Sequence, residues 1–330
     1  MVGGAGFVGL NIAQAILEGG GRVVLFDRSP PPRTAQSALE SLGATGSVVC
    51  VTGDVRDPVA VRTAVAEAAK AGPPDVVFGA AVTADEKRDN EAPELVLETN
   101  LLSIAHVLRA ARDAKARRIV NLSSAAAYGD TMFDGAASLA EDAHAEPRGL
   151  YSLTKFASER VLERLAALWG LDALSVRLSG LFGPWERPTD ARDTLSPLYQ
   201  LLVLAEAGTP ALLPRPGVRD WTYAPDAARA VCLLLAATRP AARLYNVSAG
   251  EEYSVLAWGE ALAGKHAGFE CRIARAGETP NVNLHGERDR APMDGARLAH
   301  ELGFRPAYDC SRSAAHMAEW IQRNPGLGAA

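Results

Sequence analysis

Two kinds of apolar pattern alternate along the first half of the chain. Residues 22–27, 47–52, 74–81, 118–124 and 171–178 are short runs rich in Val, Leu, Ile and Phe, as expected of strands buried on both faces of a parallel sheet. Between them apolar residues recur every three or four positions, the helical period. Leu10, Ala13, Ile16 and Leu17 share one helical face, and Gly19, Gly20 and Gly21 stop that helix. Pro58 suits the first position of a helix running to about residue 71. Residues 93–114 and 150–169 predict two longer helices, the second stopped by Gly170. Residues 28–33, with Pro30, Pro31 and Pro32, and the polar stretch 125–148 read as loops. Strands and helices alternating at this spacing predict an α/β fold with a doubly wound parallel sheet.

After residue 178 the pattern loosens. Residues 179–193 are rich in Gly, Pro and charge, and 194–207 are helical, with Leu198, Leu201, Leu202 and Ala205 on one face. A strand is expected at 218–223, a helix at 225–237, a strand at 244–247 that rejoins the sheet, a helix at 254–263 and a strand at 269–274. Asp294 can cap a short helix that ends at Gly303, and 310–323 form a last helix.

Glycines at the start of the chain give the sheet a purpose. Gly3, Gly6 and Gly9 stand in a G-x-x-G-x-x-G spacing just ahead of the first helical face. Gly3 permits a tight turn, Gly6 lets a diphosphate approach the backbone, and Gly9 lets the helix pack close to the sheet. The helix N-terminus adds free N–H groups and a positive dipole end. Asp27 ends the next strand, where an acid accepts hydrogen bonds from an adenosine ribose. The expectation is a Rossmann-type dinucleotide-binding domain over residues 1–178, with 225–248 returning to it. Residues 179–224 and 249–330 would form a smaller α/β substrate-binding domain over the C-terminal edge of the sheet. A first strand of about five apolar residues is expected before the glycines, and only Met1 and Val2 stand there. A start assigned a few residues late is the favoured reading; a shortened central strand is the other.

Composition narrows the class further. The 330 residues are 48% hydrophobic and 22% charged, as in a soluble globular protein of one large or two small domains. A net charge of −5 offers no basic field for nucleic acid or acidic lipid. The longest apolar runs, such as 231–237, are too short to span a bilayer, and no signal segment precedes them, so a cytoplasmic protein is expected. Cys50, Cys232, Cys271 and Cys310 are widely spaced without a C-x-x-C, which points to buried reduced thiols and no metal.

The candidate chemistry lies at Tyr151 and Lys155, in the sequence Tyr-Ser-Leu-Thr-Lys. One helical turn apart, they share a face. A lysine there favours the phenolate and makes the tyrosine a proton acceptor near neutrality; an amphipathic helix with a snorkelling lysine gives the same pattern. Ser123 and Ser124 end a strand where a hydroxyl would sit over a bound nicotinamide. Taken in order, several segments resemble the extended short-chain dehydrogenase/reductases, the NAD-dependent sugar epimerase/dehydratase family. They are the glycine loop at 3–9, Asp27, Asp54 with Val55, Gly-Ala-Ala at 79–81, Asn100, Leu-Ser-Ser-Ala-Ala-Ala-Tyr-Gly at 122–129, Tyr151 with Lys155, and Arg-Leu-Ser-Gly-Leu-Phe-Gly-Pro at 177–184. The resemblance covers nearly the whole chain and continues weakly through 217–223, 245–248 and 302–306.

By that resemblance Tyr151 is the acid/base, Lys155 binds the nicotinamide ribose and tunes Tyr151, and Ser124 hydrogen-bonds the reacting oxygen, with Ser123 a close second. NAD would be held by Gly3, Gly6, Phe7, Val8, Gly9, Asp27, Arg28, Asp54, Val55, Ala80, Ala81, Asn100, Ser123, Tyr151, Lys155 and Leu178; for Ala80 and Ala81, tight strand packing is the alternative. Ser124, Ser179, Arg192 and Arg219 would meet the substrate. The segment 185–194, charged and aromatic, is either a sugar- or carboxylate-binding loop or a solvated one. Arg288, Arg290 and Asp294 lie where the family often closes over substrate; singly, each reads as surface charge. The resemblance also implies a homodimer packed through helices 93–114 and 150–169, with Leu95, Leu102, Ala105, Leu108, Ala157, Val161 and Leu165 as contacts.

The family's dehydratases carry an Asp-Glu pair after the catalytic hydroxyl, where this chain has Ala125 and Ala126. Water elimination is thereby disfavoured. The leading expectation is NAD-dependent epimerisation of a sugar or nucleotide sugar through a transient ketone. The alternatives are an NAD-dependent dehydrogenase or reductase of a free sugar, sugar acid or small hydroxy compound, and a non-catalytic NAD-binding protein. Ser179 and the stretch 211–216 depart from the nucleotide-sugar pattern, so that part of the expectation rests chiefly on Arg219.

Overall fold

The computed structural model describes residues 1–44, 46–83, 86–189 and 195–324. Its centre is a parallel sheet. Strand Arg118–Ser124 pairs with Asp75–Phe78 on one side and with Ala173–Leu178 on the other; Ala173–Leu178 pairs in turn with Leu244–Val247. A second parallel pair, Val23–Asp27 with Val48–Thr52, is joined to these through Val2, which bridges Phe26 and Phe78. Val2 N–H donates to the Val77 carbonyl at 2.8 Å, and Gly79 N–H donates to the Val2 carbonyl at 2.9 Å. Met1 and Val2 thus occupy the central strand position. The chain winds outward from it in both directions, which puts a topological switch point at the glycine loop.

The strands are apolar throughout because both faces are covered. One face packs Val77, Val120, Leu174, Val176 and Tyr245 beneath helices Phe7–Glu18 and Ala224–Ala236. The other packs Val2, Phe26, Val76 and Ile119 against helices Pro58–Ala69, Ser103–Asp113 and Leu150–Trp169. The helix expected over 93–114 is continuous but changes pitch. Pro93–Leu97 is α-helical, Glu98–Leu102 is a π segment and Ser103–Asp113 is α-helical again. Such a bulge often marks a functional site, and here it carries Asn100.

Three expectations need correction. Helix Arg33–Leu42 follows the prolines directly; it buries only Ala35 and Leu39, too faint a stripe for the periodicity to register. The strand expected at 218–223 is two pieces, Val218–Arg219 and Thr222–Tyr223, parted where Asp220 and Trp221 turn inward. The four cysteines are free, but only Cys271 is buried; Cys232 and Cys310 are half-buried and Cys50 is exposed.

The later half of the chain packs its own core against the first helix. Trp258, fully buried, meets Phe182 edge-on at 5.6 Å and donates its indole N–H to Ser313 Oγ at 3.1 Å. Leu10, Ala13 and Leu17 belong to the same apolar cluster. Asn246, on strand Leu244–Val247, crosses back to the loop that follows the Arg118–Ser124 strand. Its Oδ1 accepts from the Tyr128 hydroxyl at 2.9 Å and its Nδ2 donates to the Leu139 carbonyl at 2.9 Å. Among the described residues, no helix is long and apolar enough to cross a membrane.

Leu174 is fully buried between the two faces, whereas Leu42 is 41% exposed at a helix end. Leu174→Ala should cost about 2–5 kcal/mol in chemical denaturation, and Leu42→Ala should shift the midpoint little. Equal shifts would misplace the core.

Candidate active site

At the switch point the glycine loop is built by backbone contacts that leave no room for a Cβ. Gly3 has φ +75°, and a Cβ there would lie 2.7 Å from Ala80 N. A Cβ on Gly9 would lie 2.3 Å from the Gly3 carbonyl oxygen. Gly6 precedes helix Phe7–Glu18 with no side-chain cap, so the N–H groups of the first turn are left for whatever the loop faces. Asp27 is held in place by two backbone donors: Ala5 N–H at 3.0 Å and Arg28 N–H at 2.8 Å.

Two adjoining cavities follow the C-terminal edge of the sheet. The first, about 330 Å³, is lined by Asp27, Arg28, Asp54, Val55, Ala80 and Ala81 among others. Asp54 is held below the usual carboxylate range by its hydrogen bonds with Arg56. The second cavity, about 270 Å³, takes in Gly3, Gly6, Phe7, Val8, Gly9, Ser123, Ser124, Tyr151, Lys155, Leu178, Ser179 and Arg219. Nearly all the residues singled out in the sequence therefore converge on one continuous cleft. Asn100 does not line it: this buried side chain clamps the Val82 backbone (2.7 and 2.9 Å) and donates to Thr154 Oγ1 at 3.2 Å, fastening the cleft wall from behind. Arg192 lies outside the described residues.

The sequence put Ser124 ahead of Ser123, and the structure gives the two different surroundings. Strand alternation points them to opposite faces. Ser123 is buried and donates to Glu159 Oε1 at 2.6 Å. Ser124 is half-buried on the cleft wall, its Oγ accepting from Ala126 N–H at 3.2 Å. Lys155 stands one turn after Tyr151 with Nζ 5.7 Å from the Tyr151 ring centroid, donating to the Leu122 carbonyl at 2.8 Å. Burial lowers its pKa to about 8, against an opposing pull from Glu159. Glu159 is itself buried and gripped by Arg177 through Nε at 2.9 Å and Nη2 at 2.7 Å.

At the outer wall, Arg219 packs over Trp221 at 4.7 Å, and burial lowers its pKa to about 10. Its buried Nε has no hydrogen-bond partner. Ser179 lines the wall, but its hydroxyl is engaged internally, donating to the Asp220 carbonyl at 2.6 Å and accepting from Arg290 at 2.8 Å. Arg290, which read as surface charge, is buried and paired with Asp220 at 3.0 Å. Sequence reasoning did not single out Thr83, Arg187, Thr189, Ser196 or His285, which also line the cleft. Only Arg187 and Thr189 carried a signal, as members of the charged stretch 185–194.

A glycine-rich turn at a switch point beside a Tyr–Lys pair and a strand-end serine defines an enzyme of nicotinamide-linked oxidation and reduction. The chain belongs to the NAD-dependent epimerase/dehydratase family, whose model matches residues 1–248. It is 27% identical over 337 residues to a dTDP-glucose 4,6-dehydratase of Xanthomonas campestris pv. campestris (strain B100), covering 98% of this chain and 93% of that one. Among solved structures it resembles the UDP-glucose 4-epimerase of Thermus thermophilus in complex with NAD, with TM-score 0.76, 27% identity and 97% of each chain covered. The UDP-glucuronic acid 4-epimerase of Bacillus cereus in complex with NAD shares the fold, with TM-score 0.74, 18% identity and 98% of each chain covered. The family is NAD-dependent, and both of these epimerases are solved in complex with NAD.

Asp27 would repel a 2′-phosphate and accept a 2′-hydroxyl, so NAD should bind more tightly than NADP in a fluorescence titration, despite Arg28 on the same wall. Gly9→Ala should weaken NAD at least tenfold in the same titration, because its Cβ meets backbone that cannot move without opening the loop. Unchanged affinity would remove the glycine loop from the binding site.

Proposed function

We propose that the protein is an NAD-dependent epimerase of a nucleotide sugar, working by transient oxidation of one ring carbon to a ketone. One observation carries this reading. Among the described residues, the cavity holding Ser124, Tyr151 and Lys155 is lined by no carboxylate, while two arginines, Arg187 and Arg219, line it. A dehydratase needs an acid to protonate the departing hydroxyl, and Ala125 and Ala126 supply none. Arg219, with its unpartnered Nε, suits a diphosphate.

The residues fit NAD: the loop closes on its own backbone and on Ala80 too tightly for a Cβ at Gly3 or Gly9, which leaves its N–H groups facing the cleft, and Asp27 is held by its two donors. When bound, NAD supplies a reversible store for one hydride. The chain's own groups do the rest. Tyr151, as phenolate, takes the proton from the substrate hydroxyl as the hydride leaves the same carbon. Lys155 favours that phenolate by its charge and is fixed by the Leu122 carbonyl. Ser124 donates to the substrate oxygen. After the ketone turns over in the cleft, Tyr151 returns its proton as the hydride comes back to the opposite face. The balance is zero, so no reduced cofactor accumulates.

We also infer a homodimer through helices Pro93–Leu97 to Ser103–Asp113 and Leu150–Trp169. Four of the seven exposed large hydrophobics among the described residues, Leu97, Leu102, Leu153 and Leu168, lie there. Leu108 is fully buried against the sheet and is not a contact.

Incubation with UDP- and dTDP-hexoses and hexuronates should give a product of unchanged mass and inverted configuration by NMR, with flat NADH absorbance. Loss of one water by mass would mean a dehydratase, and rising NADH a dehydrogenase. Tyr151→Phe should lower turnover by ~10²–10⁴ with NAD affinity kept, and Ser124→Ala by ~10², whereas Ser123→Ala should act mainly on stability. Lys155 is charged below pH about 8 and neutral above it. Turnover that depends on that charge should therefore fall with an apparent pKa near 8 on the alkaline side, and Lys155→Met should lack this limb in a kcat–pH profile. A monomer by light scattering at micromolar concentration would count against the dimer.

A further inference from the structure

The cofactor consists of two nucleotides joined through a diphosphate, and the cleft consists of two cavities. Where one chain of atoms passes between them, it must cross the residues that line both. Those residues are Gly3, Gly6, Gly79, Ala81, Arg187 and Thr189. Arg187 is the one cation in this shared set. From this we propose that Arg187 is a ligand of the cofactor diphosphate, reaching it from beside the glycine loop.

The local structure is built to present this guanidinium. Its Nη2 donates to the Ala5 carbonyl of the loop at 2.7 Å, and Nη1 lies 3.4 Å from the Trp185 carbonyl. No carboxylate among the described residues forms an ion pair with it. A guanidinium has five N–H donors, so most remain for a ligand. Burial pushes its pKa down, against weaker opposing pulls from Asp27 and Tyr199.

Both flanks are anchored. Asn11 Nδ2 donates to the Pro184 carbonyl at 2.8 Å, and Trp185 Nε1 donates to Gln14 Oε1 at 3.0 Å. Glu186 accepts from Ser196 N–H and Oγ, both at 2.7 Å. Trp185 has φ +67°, a left-handed conformation rare for so bulky a residue. Such strain persists only where surrounding contacts enforce it, and here it turns the chain so that Arg187 faces the loop. Arg187 follows the Ala173–Leu178 strand in the chain, outside the glycine-loop unit. The dinucleotide would thus be held by two separate stretches of the chain, which suits a cofactor that is regenerated in each turnover and need not leave. The diphosphate contact itself stands whether the enzyme epimerises or oxidises.

The test uses the full chain stripped of cofactor, with Arg187→Gln and Arg187→Lys, titrated with NAD, ADP-ribose, adenosine and NADP. Arg187→Gln should weaken NAD and ADP-ribose by about ten- to a hundredfold, the worth of a charge-assisted hydrogen bond, and leave adenosine unchanged. Arg187→Lys, which keeps the charge, should lose less. Adenosine weakened as much as NAD would mean that Arg187 only shapes the loop. A loss confined to NADP would assign it to a 2′-phosphate. NAD affinity unchanged within twofold, or Lys no better than Gln, would likewise overturn the proposal.

Discussion

The cleft depends on one buried ion pair. Glu159 and Arg177 meet through two hydrogen bonds in a region neither charge could enter alone. Removing two charges from water is costly, and their attraction repays it only with good geometry and satisfied remaining atoms. Here the fork is matched, and Ser123 fills a further carboxylate position. Glu159 is one turn beyond Lys155 on the helix, Ser123 directly precedes Ser124 on one strand, and Arg177 sits opposite Ser123 on the next. A single carboxylate therefore ties the helix bearing Tyr151 and Lys155 to the strand bearing Ser124. Replacing either partner by an apolar residue would leave an unmatched charge directly behind the reacting groups.

The electrostatics in front of that pair follow from the same layout. Carboxylates are held behind the wall, at Glu159, or in the first cavity, at Asp27 and Asp54. The second cavity is lined by Lys155, Arg187 and Arg219. Low dielectric strengthens the pull of these cations on a phosphorylated ligand, and also explains why Lys155 and Arg219 hold their protons less firmly than in water.

Much of this was legible from residue order. Strand Arg118–Ser124 and helix Cys310–Arg323 fall where the apolar pattern puts them, because a strand buried on both faces and a helix with a wide apolar stripe leave strong periodic signals. The glycine loop, Asp27, Tyr151 and Lys155 were legible because each is constrained by local backbone geometry or helical spacing. What the sequence hid depends on distant partners. Asn100 reads as a cleft residue, but its amide meets Val82 and Thr154 behind the wall. Arg290 reads as surface charge until Asp220, seventy positions earlier, folds against it. Ser179 has the right address, but its hydroxyl is already engaged by those same two residues. Helix Arg33–Leu42 escaped because prolines dominate its entry and only two residues turn inward.

The Asn246 crossing bears on how the molecule comes to be folded. Tyr128 and Leu139, which shape the loop behind Ser124, find their partner more than a hundred positions later in the chain. Loop closure over such separations is slow relative to local helix formation. During synthesis the early strands and helices can assemble on local contacts, and Arg177 reaches Tyr128 and Glu141 once strand Ala173–Leu178 is in place. The Asn246 hydrogen bonds come last, so the loop following Ser124 is completed only when strand Leu244–Val247 docks.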